Sequence, residues 1–520
     1  MKNTKILKPA AEPRLSGIQF PIEHSGRRST LFTGQRVVSA ALQGLDAGAA
    51  QAALSERDWR TRYPEHLRAL VAAQAAALPA DAVASCQAGL DALWTLMPFV
   101  VPGRDEKDSR LADALVAGQA DGLHTVTHRG RGETAPARWA VPWKGKWLSD
   151  DALRRQIDRW ETRGIAEPSH CNALRACLAH PEWFDLSDRH LVLLGAASEA
   201  GPLAWLARWR ANLVAIDLPR PALWKRIVAA VDAGNATVTA PLDTRRTGVA
   251  SGDLLQCGAD LLTQTPELGA WLLAYRDGVG RSLDVGNLAY LDGERHVRVA
   301  LAMDALSALL CARDPGTSLA YLATPTDLFA VPGDLAGAVR EAYVNRGWMK
   351  RVAQAGVRAG SRGRTFLPHI ESLIEGPGGV HGIVDALVVE QGPNYALAKR
   401  LQQWRAIVAR AAGHRVSLNV APSTTTASVV KNPLLAAGFR GAKAFRCEVF
   451  EPATTNALMA ALWVHDLRTR TTAADPSVPL AHPLDLLVDG ANHGGLWRVP
   501  YLPRSVLPLA ALVGLVRRRP

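Results

Sequence analysis

The chain predicts an α/β protein: a doubly wound parallel sheet, Rossmann-like, with an α-helical N-terminal region and a C-terminal extension. Three observations carry this. Short apolar runs at 190–194, 213–217, 236–240, 283–290, 318–323 and 416–421 alternate with helix-length stretches, the texture of a parallel sheet covered by helices. The run Leu191-Val-Leu-Leu-Gly195-Ala-Ala-Ser-Glu-Ala-Gly201 precedes an amphipathic stretch and then Leu213-Val-Ala-Ile-Asp217, which reads as strand, glycine turn, helix and strand. Before about residue 189 the chain is Ala/Leu-rich with helical spacing, as at Pro64 to Ala77 and Ala82 to Leu96.

In chain order, residues 1 to about 30 read as a loose arm, and 101–109 and 129–137 as charged, Gly/Pro-bearing loops. Ser149-Asp-Asp begins a helix, with Ser149 as its cap and acids in its first turn. The expected organisation is a helical N-terminal region at 1–185, a nucleotide-binding domain at 186–470, and a C-terminal tail at 471–520. Inside the domain, residues 332–390 break the rhythm. They hold Lys350, Arg351, Arg358, Arg362 and Arg364 and the stretch Glu375-Gly-Pro-Gly-Gly379, which reads as an insertion over the site mouth. Its arginines suit an anionic small-molecule substrate, although a solvated helix face has the same composition. At 520 residues two or more cores are expected.

The net charge is +12, yet no basic run is interleaved with aromatics and no nucleic-acid module accompanies the charge, so no nucleic-acid partner is expected. The six cysteines, at 86, 171, 177, 257, 311 and 447, form no CxxC pair and no zinc spacing. His124 and His128 lack carboxylate companions, and no metal is expected. No stretch offers about 20 apolar residues. The apolar segment Val506 to Val516 is too short to span a membrane and is expected to dock on the body, with a lipid interface as the alternative. These features suggest a cytoplasmic protein, and a homo-oligomer is compatible with them.

Gly195 and Gly201 bracket a turn in which backbone N–H groups, with Ser198 between them, approach a pyrophosphate. Asp217 follows Gly195 by 22 residues, where a carboxylate accepts ribose hydroxyls and repels a 2′-phosphate; this points to NAD over NADP. Of the seven tyrosines only Tyr395 has a lysine four residues on, Lys399, which places phenol and ammonium on one helix face. The apolar run Val416-Ser-Leu-Asn-Val-Ala-Pro422 follows.

Together these segments resemble the short-chain dehydrogenase/reductase family over about 190–430. The family's glycine turn is matched by Gly195 and Gly201, with Glu199 where its central glycine stands, and the acid ending its second strand by Asp217. The resemblance implies an adenine contact at Asp260-Leu261, an Asn-Ala-Gly counterpart at Asn287-Leu-Ala289, and Thr324 or Thr326 where the family has its catalytic serine. It implies Tyr395 and Lys399 as the catalytic pair. Pro422, with Thr425 among the Thr424–Thr426 run, would lie beside the nicotinamide. The gap from Thr326 to Tyr395 exceeds the family's, and the 332–390 insertion absorbs it.

The implied activity is NAD- or NADP-dependent interconversion of a ketone and a secondary alcohol. In it Tyr395 moves the proton and Lys399 lowers the phenol's pKa from near 10. Two other readings remain open. An S-adenosylmethionine-dependent methyltransferase uses only the Gly195–Asp217 half, and a non-catalytic binding or scaffold protein keeps the fold without the serine. Asp292, Arg295 and His296 are secondary site candidates; His369 and His381 read as structural or exposed.

Overall fold

A computed structural model describes residues 16–23, 26–101, 108–248, 252–426, 431 and 433–516. Half of the expected N-terminal arm and most of the loop at 101–109 lie outside the described residues.

The fold is α/β, built on a seven-stranded mixed sheet. Its strands, in chain order, are β1 (Leu123–Arg129), β2 (His190–Leu194), β3 (Asn212–Ile216), β4 (Thr237–Asp243), β5 (Leu283–Asn287), β6 (Ser318–Ala323) and β7 (Val416–Val420). Across the sheet they lie in the order β7-β6-β5-β2-β3-β4-β1. The first six in that order are parallel, and β1 closes the edge antiparallel to β4, with Val126 opposite Ala240. The six parallel strands fall on the six apolar runs. β1 does not: its sequence, LHTVTHR, has no apolar core and is half-exposed, so periodicity does not mark it. Residues 1–185 therefore supply helices and also the edge strand of the main sheet.

Each strand shows the period of two that a sheet covered on both faces requires. Val192, Leu194, Val214, Ile216 and Val285 enter one apolar core, together with α1 (Arg295–Arg313), α4 (Gly392–Ala411) and the N-terminal helices Thr30–Gln43, Trp59–Ala76 and Pro79–Leu96. Leu191, Leu193, Leu213 and Ala215 enter a second core on the opposite face. There they meet Asp150–Thr162, Pro168–Ala179, Pro221–Asp232 and α6 (Pro452–Arg468). Gly286 in β5 lets α6 pack close to the sheet, since a Cβ there would lie 2.8 Å from the Trp463 ring.

Between β6 and α4 lies the insertion. It starts earlier than expected, with the strand Leu328–Pro332, which pairs with Gly379–Asp385 and, through it, Leu373–Gly376. Two helices, α2 (Gly333–Val344) and α3 (Trp348–Gly360), fill the connection. The C-terminal tail is less irregular than its composition suggests. It contributes a buried Trp497 against Phe329 and includes α7 (Pro503–Val516), which docks on α5 (Pro433–Gly441) through Leu507, Ala510 and Gly514. No described helix is long and apolar enough to cross a membrane.

Ser149 does stand at the start of Asp150–Thr162, but its hydroxyl makes no capping bond. Asp150 adopts φ +49° and pairs with Arg138. All six cysteines are free, and four are fully buried.

One ion pair fixes α4 to the sheet. Arg400 and Asp327, each 1% exposed, meet at 2.9 Å, and Gln403 donates to the other carboxylate oxygen at 2.9 Å. Arg400 also donates to the Leu328 carbonyl at 3.2 Å. Leaving either charge unpaired in the core is costly. Arg400→Met should lower unfolding free energy by about 3–5 kcal/mol in urea titrations, with part regained when Asp327→Leu is added.

Candidate functional site

The site begins where β2 ends. Gly195 has φ +92°, and a Cβ there would lie 2.5 Å from the Ala289 Cα, so only glycine lets this turn pass against the segment leaving β5. The turn closes on itself, Ser198 N–H to the Gly195 carbonyl and Gly201 N–H to the Ser198 carbonyl, both at 3.0 Å. Asp217 leaves β3 and braces it: Oδ2 accepts from the Ala197 N–H and Oδ1 from the Leu218 N–H, both at 2.8 Å. Burial raises the Asp217 carboxyl's pKa, and these two amides oppose the rise. Arg226 donates to the Ala197 carbonyl at 3.0 Å and faces the same cleft.

The helix expected after this turn is a single turn, Leu203–Leu206. Pro202 stands at its start, and the chain leaves the helix as Leu206, Ala207 and Trp209 turn into the core, so no long helix aims its N-terminus at the turn. Any phosphate contact here therefore rests on loop N–H groups and on Arg226.

The second half comes from β6 and α4. Thr324 and Thr326 leave β6 with their hydroxyls 2.8 Å apart, and Thr326 donates to the Gln391 side chain at 3.2 Å. One turn apart on α4, Tyr395 and Lys399 both face the cleft. Lys399 Nζ donates to Gln402 Oε1 at 3.2 Å and lies 5.9 Å from the Tyr395 ring centroid. Burial pushes the Tyr395 phenol up to about 12, against hydrogen bonding with Thr324 and Gln391 and with Asp327's charge adding to the rise. Burial pushes the Lys399 ammonium down to about 8, against the pull of Asp327.

Both halves open into one cleft of about 540 Å³ at the carboxyl ends of the strands. Gly195, Ser198, Asp217, Asp260 and Leu261 line one end. Asn287, Thr324, Thr326, Tyr395, Lys399 and Pro422 line the rest. Two expected residues do not reach it. Gly201 is buried under the turn against Ser198, and the Thr425 amide and hydroxyl are both held by the Phe450 carbonyl at 3.0 and 3.3 Å. Thr424 and Thr426 line the cleft instead. Asn287 borders the cleft, but its Oδ1 accepts from Ser307 Oγ at 3.1 Å, which turns the amide toward α1. Asp260 Oδ1 is taken by the Leu262 N–H at 2.8 Å.

Of the secondary candidates, Asp292 lines the cleft. His296 packs behind Tyr395, ring centroids 5.4 Å apart, with Nδ1 3.1 Å from the Leu291 carbonyl. Burial and then Lys399 hold its pKa down to about 3, so it is neutral. His369 and His381 are buried away from the cleft, His369 against the Val499 carbonyl and His381 against His482. His128 meets Asp232 at 2.7 Å. Sequence reading missed Arg226, Gln391 and Gln402. It had one usable signal for the site's scaffold: an acid follows Thr326 directly and an arginine follows Lys399 directly, and these two residues are the buried pair.

No protein-family model and no curated protein matches this chain.

Lys399 gives the site a stability signature. Its folded pKa lies below the unfolded value of 10.5. Below about pH 8 both states carry the proton, and the cost of a charge in the cleft is complete. Between about 8 and 10.5 the folded state sheds its proton first, and the cost fades. Lys399→Met should therefore stabilise the protein by about 3 kcal/mol at pH 7, a gain that shrinks toward zero above pH 10 in urea unfolding series.

Proposed function

We propose that the cleft binds a dinucleotide and that the protein is an NAD(P)-dependent oxidoreductase interconverting a ketone and a secondary alcohol. The observation that carries this is convergence: Gly195 and Asp217 share one cleft with Tyr395 and Lys399, although about 180 residues separate them. The strand order β4-β3-β2-β5-β6-β7 supports a doubly wound, Rossmann-like sheet, whose ligand crevice lies where the order reverses, between β2 and β5. Gly195 and Ala289 stand at that crevice. The likeness to short-chain dehydrogenases enters as support of the same kind, because fold and motif set a prior for chemistry.

The cleft fits a dinucleotide in size and in the chemistry of its two ends. Asp217 keeps lone pairs free beyond its two amides, and these suit ribose hydroxyls. Leu261 offers an apolar wall to adenine, and Arg226 stands where phosphate charge needs a partner. Arg226 also suits a 2′-phosphate, so both NAD and NADP fit this end.

Bound there, a nicotinamide ring supplies or accepts hydride. The chain's own residues handle the proton. Thr324 and Thr326 hold the substrate oxygen, and Tyr395 gives its phenolic proton to that oxygen in reduction and takes it back in oxidation. With its pKa pushed up to about 12, the phenol holds its proton at neutral pH and is in the protonation state that reduction requires. The likeness assigns Lys399 the positive charge that draws a phenol toward its working range.

One observation favours the non-catalytic reading instead. Burial drives the two groups apart, the phenol upward and the ammonium toward neutrality, which is the reverse of activation.

A substrate screen with NADH and NADPH over ketones, carrying Tyr395→Phe as control, separates these readings. The oxidoreductase reading expects the variant to lose about 10²–10⁴-fold in kcat with nucleotide affinity unchanged. Turnover that survives in Tyr395→Phe contradicts the assignment of Tyr395. Methyl transfer from S-adenosylmethionine without hydride transfer contradicts the reading as a whole.

A further inference from the structure

Helix α3 is built inside out. In a helix that packs on a protein, the apolar arc faces the core. At 100° per residue, Trp348, Met349, Val352, Gly356 and Ala359 fall on one arc, and Lys350, Gln354, Arg358 and Arg351 on the other. The helix has no buried residue. Trp348, Met349 and Val352 are 74%, 68% and 64% exposed. Its one anchored side chain lies on the polar arc: Gln354 donates to the Tyr501 hydroxyl at 2.5 Å. Gln354 is the one α3 residue that is not exposed, so the helix meets the body along that line, with the Trp348/Met349/Val352 arc turned away from it and Lys350, Arg351 and Arg358 in solvent on its flanks. Val344, at the end of α2 and 66% exposed, lies next to this surface in the chain.

The charge around this face has one sign. From 342 to 370 there is no Asp or Glu, while Arg346, Lys350, Arg351, Arg358, Arg362 and Arg364 all fall there. Among the described residues Lys350, Arg351, Arg358, Arg362 and Arg364 form no ion pair, and Arg346 stacks on Tyr343, 3.5 Å from the ring centroid. An exposed Trp/Met/Val arc rimmed by unpaired cations fits a surface that is apolar below and anionic at its rim. A second copy of this chain would bring two cationic rims together, so charge disfavours self-association here.

We propose that α3 is an interfacial anchor that lays Trp348, Met349 and Val352 into the headgroup–acyl boundary of an anionic lipid bilayer, with Lys350, Arg351 and Arg358 at the phosphate level. Geometry, composition and charge are those of a monotopic amphipathic helix. Tryptophan suits that depth, with an apolar body and a polar N–H. Because the polar arc carries the tether to the body, the helix enters a bilayer without refolding the protein. The anchor does not depend on what the cleft binds.

Flotation of the full-length protein with phosphatidylcholine vesicles and with phosphatidylcholine/phosphatidylglycerol vesicles tests this. At low salt the anionic vesicles should bind the protein at least tenfold more tightly than the neutral ones, and about 1 M salt should remove most of the difference. Trp348→Ala/Val352→Asp should weaken binding to anionic vesicles at least tenfold. Lys350→Gln/Arg351→Gln/Arg358→Gln should weaken it about a hundredfold, at roughly fivefold per cation. These side chains are exposed, so all variants should keep the parent circular dichroism spectrum and Tm. The proposal is overturned by any of four results. These are no binding to anionic vesicles, equal binding to neutral and anionic ones, full binding by both variants, or a dimer that the Trp348 variant dissolves while vesicles are ignored.

Discussion

The arrangement of the cleft depends on the buried pair between Asp327 and Arg400. Asp327 follows Thr326 at the carboxyl end of β6, and Arg400 follows Lys399 on α4, so one contact of 2.9 Å sets the distance between the threonine hydroxyls and the Tyr395/Lys399 face. Between these segments the chain leaves for about 60 residues to build the insertion. Proximity in sequence does nothing to hold the two halves together, and a directional, fully desolvated contact does. A second pair further along the same helix, Arg405 to Asp304 of α1 at 2.6 Å, fixes α4 against rotation. Burial raises the Asp327 carboxyl's pKa, and Arg400 opposes that rise; the same carboxylate pulls the Lys399 pKa back up against burial.

The electrostatics of the pair on α4 follow from the same packing. Tyr395 sits among Tyr290, His296 and the threonines, where a phenolate is poorly solvated. Lys399 is pulled toward neutrality by burial and back by Asp327. The free protein thus holds a protonated phenol beside an ammonium whose pKa is pushed down to about 8. Tyr395 and Lys399 sit one turn apart on α4, with Lys399 Nζ donating to Gln402 Oε1 at 3.2 Å and lying 5.9 Å from the Tyr395 ring centroid.

Much of this was legible in the sequence, for a physical reason. Parallel strands covered on both faces are continuous apolar runs, and all six were visible as such: 190–194 and 416–421 match β2 and β7 almost residue for residue. β1 was not visible, because an edge strand with one wet face and residues such as His124 and Thr127 carries no apolar signal. The helix at Leu203–Leu206 is shorter than the amphipathic pattern through Trp205 and Trp209 predicts, because past it the chain continues in tighter turns, Arg208 N–H to the Trp205 carbonyl and Trp209 N–H to the Leu206 carbonyl, that bury both rings. At the site, the chain positions of Gly195, Asp217, Thr324, Tyr395 and Lys399 indicated one cleft. What each side chain does there was not legible, since Thr425 is consumed by Phe450 and Asn287 by Ser307 through contacts that only the folded chain makes. The unusual polarity of α3 was written in its spacing, but which arc faces the body depends on Gln354 finding Tyr501, about 150 residues away.

The central claim is that the two halves of this cleft form one nucleotide site. Calorimetric titration of the purified protein with NADH, NADPH and S-adenosylmethionine tests it most directly. The account predicts saturable binding of a nicotinamide dinucleotide at one site per chain, weakened at least tenfold in Asp217→Ala. Binding of S-adenosylmethionine alone, or of none of the three, contradicts it.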